Sequence, residues 1–137
     1  MSIEVIEYGG VRYAEIIWAK TRAEKSTFFS PPGASFQFGL LAHKAGFVEP
    51  PHYHHSVKRE INDLQQMLVV QRGVLSVQFF SESGEIFREV ILNPGDAICL
   101  VHGAHSIKVV EDMQCLSVKQ GPFLGPELDK IDIKVSR

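Results

Sequence analysis

Several things are scarce in this chain of 137 residues, and each scarcity removes a class of function. Only two cysteines occur, Cys99 and Cys115, so no disulfide framework is encoded. Each lies in an apolar, strand-like run, where a thiol serves as a small buried hydrophobe. A bond between them would need neighbouring strands. Charge of one sign is not in excess: the formal net charge is −2, with acids and bases interspersed. No long-range field therefore draws nucleic acid or an anionic membrane surface. Apolar runs are too short to span a bilayer. Met1 to Tyr8 carries two acids, Glu4 and Glu7, and no basic cluster, which is unlike a signal peptide. A cytoplasmic protein is the expectation. Also missing are a Ser-His-Asp spacing, a nucleophile elbow, a phosphate-binding loop and an internal repeat.

Helical periodicity is nearly absent as well. Short strand-like runs separated by turn residues fill the chain. This pattern predicts an all-β sandwich or barrel. Ile3 to Trp18 reads as two strands about Gly9-Gly10. Lys20 to Ser30 is a connection with room for one helical turn over Thr21 to Lys25. Ser35 to Ala42, Gln65 to Gln71, Val74 to Phe80, Ile86 to Leu92, Ala97 to Val101, His105 to Val110 and Met113 to Lys119 read as strands. The turns between them carry Gly or Pro, as in Asn93-Pro94-Gly95-Asp96. The alternation from Asp129 to Val135 predicts a further edge strand. The length suits one domain over 1–137: N-terminal strands and a connection over 1–34, a barrel core over 35–120 and a tail over 121–137. Met67, Val69 and one of Phe79 or Phe80 are apolar at outward positions, which points to a homodimer.

The residues with chemistry to offer gather around His52-Tyr53-His54, directly after Pro50-Pro51. On a strand, His52 and His54 share a face, roughly 6–7 Å apart, and converge on one ion. By the same parity Gln66, Leu68 and Val70 share a face, and so do His105, Ile107 and Val109. His55 falls on the opposite face from His54. His43 lies in a turn, and Lys58 and Arg59 sit in the long polar stretch before Leu64. That stretch is long enough to form a rim loop. Glu49 and His102 are placed for proton transfer at a rim.

The order Gly46, His52-x-His54, Gln66, Gly73, Gly95-Asp96 and His105 resembles the two motifs of the cupins, over about Gly46 to His105. The resemblance implies a double-stranded β-helix, or jelly-roll barrel. It implies that His52, His54 and His105 are nitrogen ligands of a divalent transition metal such as Zn, Mn, Fe or Ni. Gln66 stands where the family places a metal-binding Glu. Val101 replaces the usual Pro, and only Ala104 separates Gly103 from His105. The ending Val118 to Phe123, followed by Asp129-Lys130, is similar to small cupins that accompany polysaccharide biosynthesis enzymes. A site of three neutral histidines and a neutral Gln leaves the ion its full charge, which favours an anionic ligand. The resulting expectation is a small polar, anionic, sugar-related molecule inside the barrel, with isomerisation or epimerisation as the reaction. Glu49 and His102 are the candidate acid–base residues. An iron-dependent oxygenase and a non-catalytic ligand-binding or sensing protein are the alternatives.

Overall fold

The computed structural model describes residues 3–135. The chain forms β1 (Ile3–Tyr8), β2 (Val11–Ile17), β3 (Thr27–Phe28), β4 (Gly39–Leu40), β5 (Gln66–Phe80), β6 (Ile86–Leu92), β7 (Ala97–Leu100), β8 (Ala104–Lys119) and a single-turn helix α1 (Pro126–Asp129). The all-β expectation holds. The strands make a curled antiparallel half-barrel. β5 is its axis: β8 pairs along one edge of β5, while β7 and β6 share the other. β2 extends the sheet beyond β7, and β1 closes that side.

The curl comes from the middle of β5. Turn residues Arg72-Gly73 predict a break between two strands, yet pairing with β8 continues through them. Gly73 has φ 82°, and the register with β8 is irregular from Val70 to Leu75. Glycine takes this backbone conformation without steric cost, so the strand bends rather than ends. The bend brings a Cβ on Gly73 within 2.1 Å of the Asp112 carbonyl oxygen, which excludes every other residue. Both halves of β5 then face one core. Leu68 and Val70 precede the bend, Leu75, Val77 and Phe79 follow it, and all five pack with Ile6, Ala14, Ile16, Val90, Leu92, Ile98 and Leu100.

The convex side has its own cover. Phe29, Phe36, Phe38 and Leu40 pack over Ile17, Met67, Ala97, Cys99 and Val101. Met67 is thus covered within the chain, and Phe79 and Phe80 are both buried. The outward apolar positions that point to a dimer in the sequence are satisfied internally at these residues. Cys99 and Cys115 are free thiols. They oppose Met67 and Val70 respectively, so they lie on opposite faces and on opposite edges of β5. Cys99 is buried and Cys115 half-buried.

Five further local expectations differ from the structure. The two strands expected over His105 to Val110 and Met113 to Lys119 are one, β8, which passes through Glu111-Asp112 with bulges. Ser35 to Ala42 contains only the two-residue β4, because Ser30, Gln37 and Ser26 hold that stretch to the preceding loop by side-chain bonds. Thr21 to Lys25 has no helical turn. The edge strand expected over Asp129 to Val135 is absent: Asp129 ends the helical turn α1, and residues 130–135 have no regular structure. His52-Tyr53-His54 is not a strand. Pro50 and Pro51 remove two consecutive N–H donors there, and no neighbouring strand runs alongside.

Candidate metal centre

Gln66 and His105 sit on the concave face of the half-barrel. Gln66 opposes Leu100 and Lys119, and it shares a face with the core residues Leu68 and Val70. His105 opposes Phe79, and Ile107 and Val109 oppose Val77 and Leu75. The parity expected for both strands is therefore present. The two residues belong to opposite halves of the bent sheet, Gln66 at the open end of one and His105 at the open end of the other.

Local bonds orient both. The Gln66 amide nitrogen donates to Ser117 Oγ at 2.9 Å, which leaves its carbonyl oxygen as the remaining donor atom. His105 keeps access to solvent, but the protein crowded around its ring disfavours the imidazolium and lowers its pKa. A hydrogen bond with the Gly103 backbone opposes that shift, and the Lys130 ammonium adds to it. The consequence is a neutral imidazole near pH 7, the form that binds metals. Gly103 sets the turn into β8. It has φ 78°, and a Cβ there would stand 2.2 Å from the Tyr13 ring. The neighbouring His102 meets Tyr13 edge-on, with ring centroids 6.2 Å apart, and is exposed.

His52 and His54 occupy a different setting. Their rings stack at a centroid distance of 5.3 Å and 17° between planes, so they come together without a strand. His52 Nδ1 lies 2.9 Å from the Pro50 carbonyl oxygen. As donor in that bond, Nδ1 leaves Nε2 with its lone pair, the arrangement found behind metal-binding histidines. Glu49 Oε1 stands 3.4 Å from that Nε2, so the candidate base Glu49 contacts His52 itself. His55, Lys58 and Arg59 are exposed on the same segment, and His43 stacks on Phe47 at 4.0 Å.

The donor set is thus in three places, the histidine pair on the segment and Gln66 and His105 at opposite ends of the β5–β8 pair. Among the described residues, no group of three or more His, Cys, Asp or Glu stands together as a metal cluster. By donor type and orientation the residues suit a divalent transition ion. In this single chain their positions do not yet assemble. Sequence reading missed the partner that orients Gln66, Ser117. The pairing of β5 with the end of β8 carries that information, and it links residues 51 apart. No helix among the described residues is long and apolar enough to cross a membrane. No family model, curated protein or solved structure matches the chain.

Proposed function

We propose that this chain is a cupin-type metal-binding protein whose jelly-roll pocket takes a small polar, anionic, sugar-related molecule. The orientation of the donors supports this most directly. His52 has its Nδ1 tied to the Pro50 carbonyl at 2.9 Å, and Gln66 has its amide nitrogen tied to Ser117. Each bond presents the remaining heteroatom as a ligand. His54 and His105 complete the four proposed ligands. A divalent ion held by these residues, once brought together, would supply Lewis acidity toward a carbonyl or enolate oxygen. The chain's own contribution would be to line the ligand site with Ile107 and Val109 and to move a proton through Glu49 or His102. Isomerisation or epimerisation is the reaction class this arrangement serves. The half-barrel with its bend at Gly73 is the framework such a pocket needs. Metal analysis of protein purified without chelators tests the reading. Stoichiometric Zn, Mn, Fe or Ni is expected, with a thermal shift on adding the same ion. Neither metal nor shift would remove it.

A second reading, a binder or sensor without turnover, is favoured by one observation. Glu49, a candidate base, is engaged with His52 rather than standing free at the rim. Ligand-dependent thermal shifts without product formation would select it.

A further inference from the structure

Two elements of this molecule lack a partner. The first is the outer edge of β8. Among the described residues, backbone pairing joins β8 only to β5, so its other edge has no partner along all 16 residues of the strand. Open edges are ordinarily guarded by proline, bulges or dense charge. β8 contains no proline or glycine; its bulges fall between Glu111 and Gln114 and at Val110, and from Ala104 to Val109 its one charge is Lys108. Val109 and Val110 are 50% and 55% exposed.

The second is the segment that carries His52 and His54. Among the described residues, every hydrogen bond, ion pair and ring contact of 44–62 is made within the segment or with His43. None of its residues joins either apolar cluster. Val48 and Tyr53 are 79% and 88% exposed. Both ends are anchored: Ala42 donates its N–H to Ser26 Oγ at 3.0 Å, and Ser35 Oγ donates to Asp63 at 2.9 Å. Between these anchors the segment stands off its own sheet.

We propose that Phe47–Tyr53 of one copy adds as a strand to the open β8 edge of a second copy, reciprocally. His52 of one subunit then stands beside His105 of the other, while Gln66 stays at the far end of β5, opposite Lys119. This rests on the metal-binding reading above for one contact only, the His52–His105 pair that one chain does not form. Charge and apolarity select the register. An antiparallel pairing with His52 opposite His105 places Glu49 opposite Lys108, Val48 opposite Val109 and Phe47 opposite Val110. Directly opposed residues share a face, so His52 and Val48 join His105 and Val109 on the concave side. Glu49 meets Lys108 on the convex side. Successive residues turn their N–H groups to opposite edges, so Pro50 and Pro51 together cost this ladder one bond.

The test is a cysteine pair, Glu49→Cys with Lys108→Cys, in a Cys115→Ser background and without metal. Opposed residues lie about 4.5–5.5 Å apart, within disulfide range. Oxidation should give a covalent dimer on a non-reducing gel. The two single variants should each stay unlinked, and should form a dimer when refolded together. Phe47→Cys with Val110→Cys is a second pair, so that one damaging substitution does not decide the result. A linked monomer, no link in either pair, or a monomer in sedimentation equilibrium would overturn the exchange. Because linking needs no metal, a linked dimer without metal affinity would remove only the metal reading. A monomer that binds metal would remove only the exchange.

Discussion

Asp96 accepts the Ala19 N–H on one carboxylate oxygen at 2.7 Å and the Asn93 N–H on the other at 2.8 Å, and it is buried. The first bond ties the end of β2 to the turn before β7. The second closes that turn. Replacing Asp96 with Ala leaves both donors unsatisfied, and each such loss costs about 1–3 kcal/mol. Chemical denaturation of Asp96→Ala should therefore show a loss of about 2–5 kcal/mol with little change in m-value. The sequence shows Asn93-Pro94-Gly95-Asp96 as a tight turn, but Ala19 is 77 residues away and nothing local announces it. At Gln66 the sequence was more informative. Its parity with Leu68 and Val70 put it on the concave face, where it stands. If the proposed metal site is correct, Gln66→Glu would add a charge to its ligand set and should tighten metal binding at least tenfold in a calorimetric titration. His52→Ala should abolish binding in the same assay. Unchanged affinity in Gln66→Glu would show that residue 66 is not a ligand.

β7 shows how an element's surroundings tune a residue whose type is unremarkable. Cys99 faces the Phe-rich convex cover and opposes Glu15 in β2. Burial pushes its thiol pKa up to about 12, and the Glu15 charge adds to the shift. The neutral thiol is thus favoured in the fold, whereas the unfolded chain ionises it near the ordinary value of about 8.5. Over that window the unfolded state holds fewer protons, so stability falls as pH rises from about 8.5 toward 12. Cys99→Ser or Cys99→Ala should flatten the alkaline limb of the unfolding midpoint against pH. Native protein at pH 8 should show one reactive thiol, Cys115. β5 makes a different point about elements. Gly73 is plain in the sequence as a turn signal, and the strands either side of it are read correctly. That they form one bent strand depends on β8 continuing opposite, a long-range fact. Gly73→Ala forces a side chain at φ 82° against the Asp112 carbonyl and should cost more than about 2 kcal/mol. Similarly, the histidine pair was expected on a strand. Strand structure needs a partner edge, and this chain provides none beside residues 44–62.

At the scale of the molecule, the half-barrel is closed on one side and open on the other. On the closed side Arg88 pairs with Glu4, and Tyr8 stacks on Phe87 at 4.5 Å, so β1 and β6 meet through side chains. On the open side β8 has solvent beyond it. If two copies cover that edge for each other, folding and association become one equilibrium. The unfolding midpoint then rises with protein concentration, by about 1.4 kcal/mol of apparent stability for each tenfold increase. A charge placed on the open edge should separate the two contributions. Val110→Lys lies outside the concave core, so a single chain tolerates it at small cost. It opposes a strand that would otherwise dock there, by the same device that protects natural edges. Urea unfolding of the wild-type protein over a hundredfold concentration range should show a rising midpoint, and Val110→Lys a constant one. A wild-type midpoint that does not move would mean that β8 is never covered by a second copy at those concentrations.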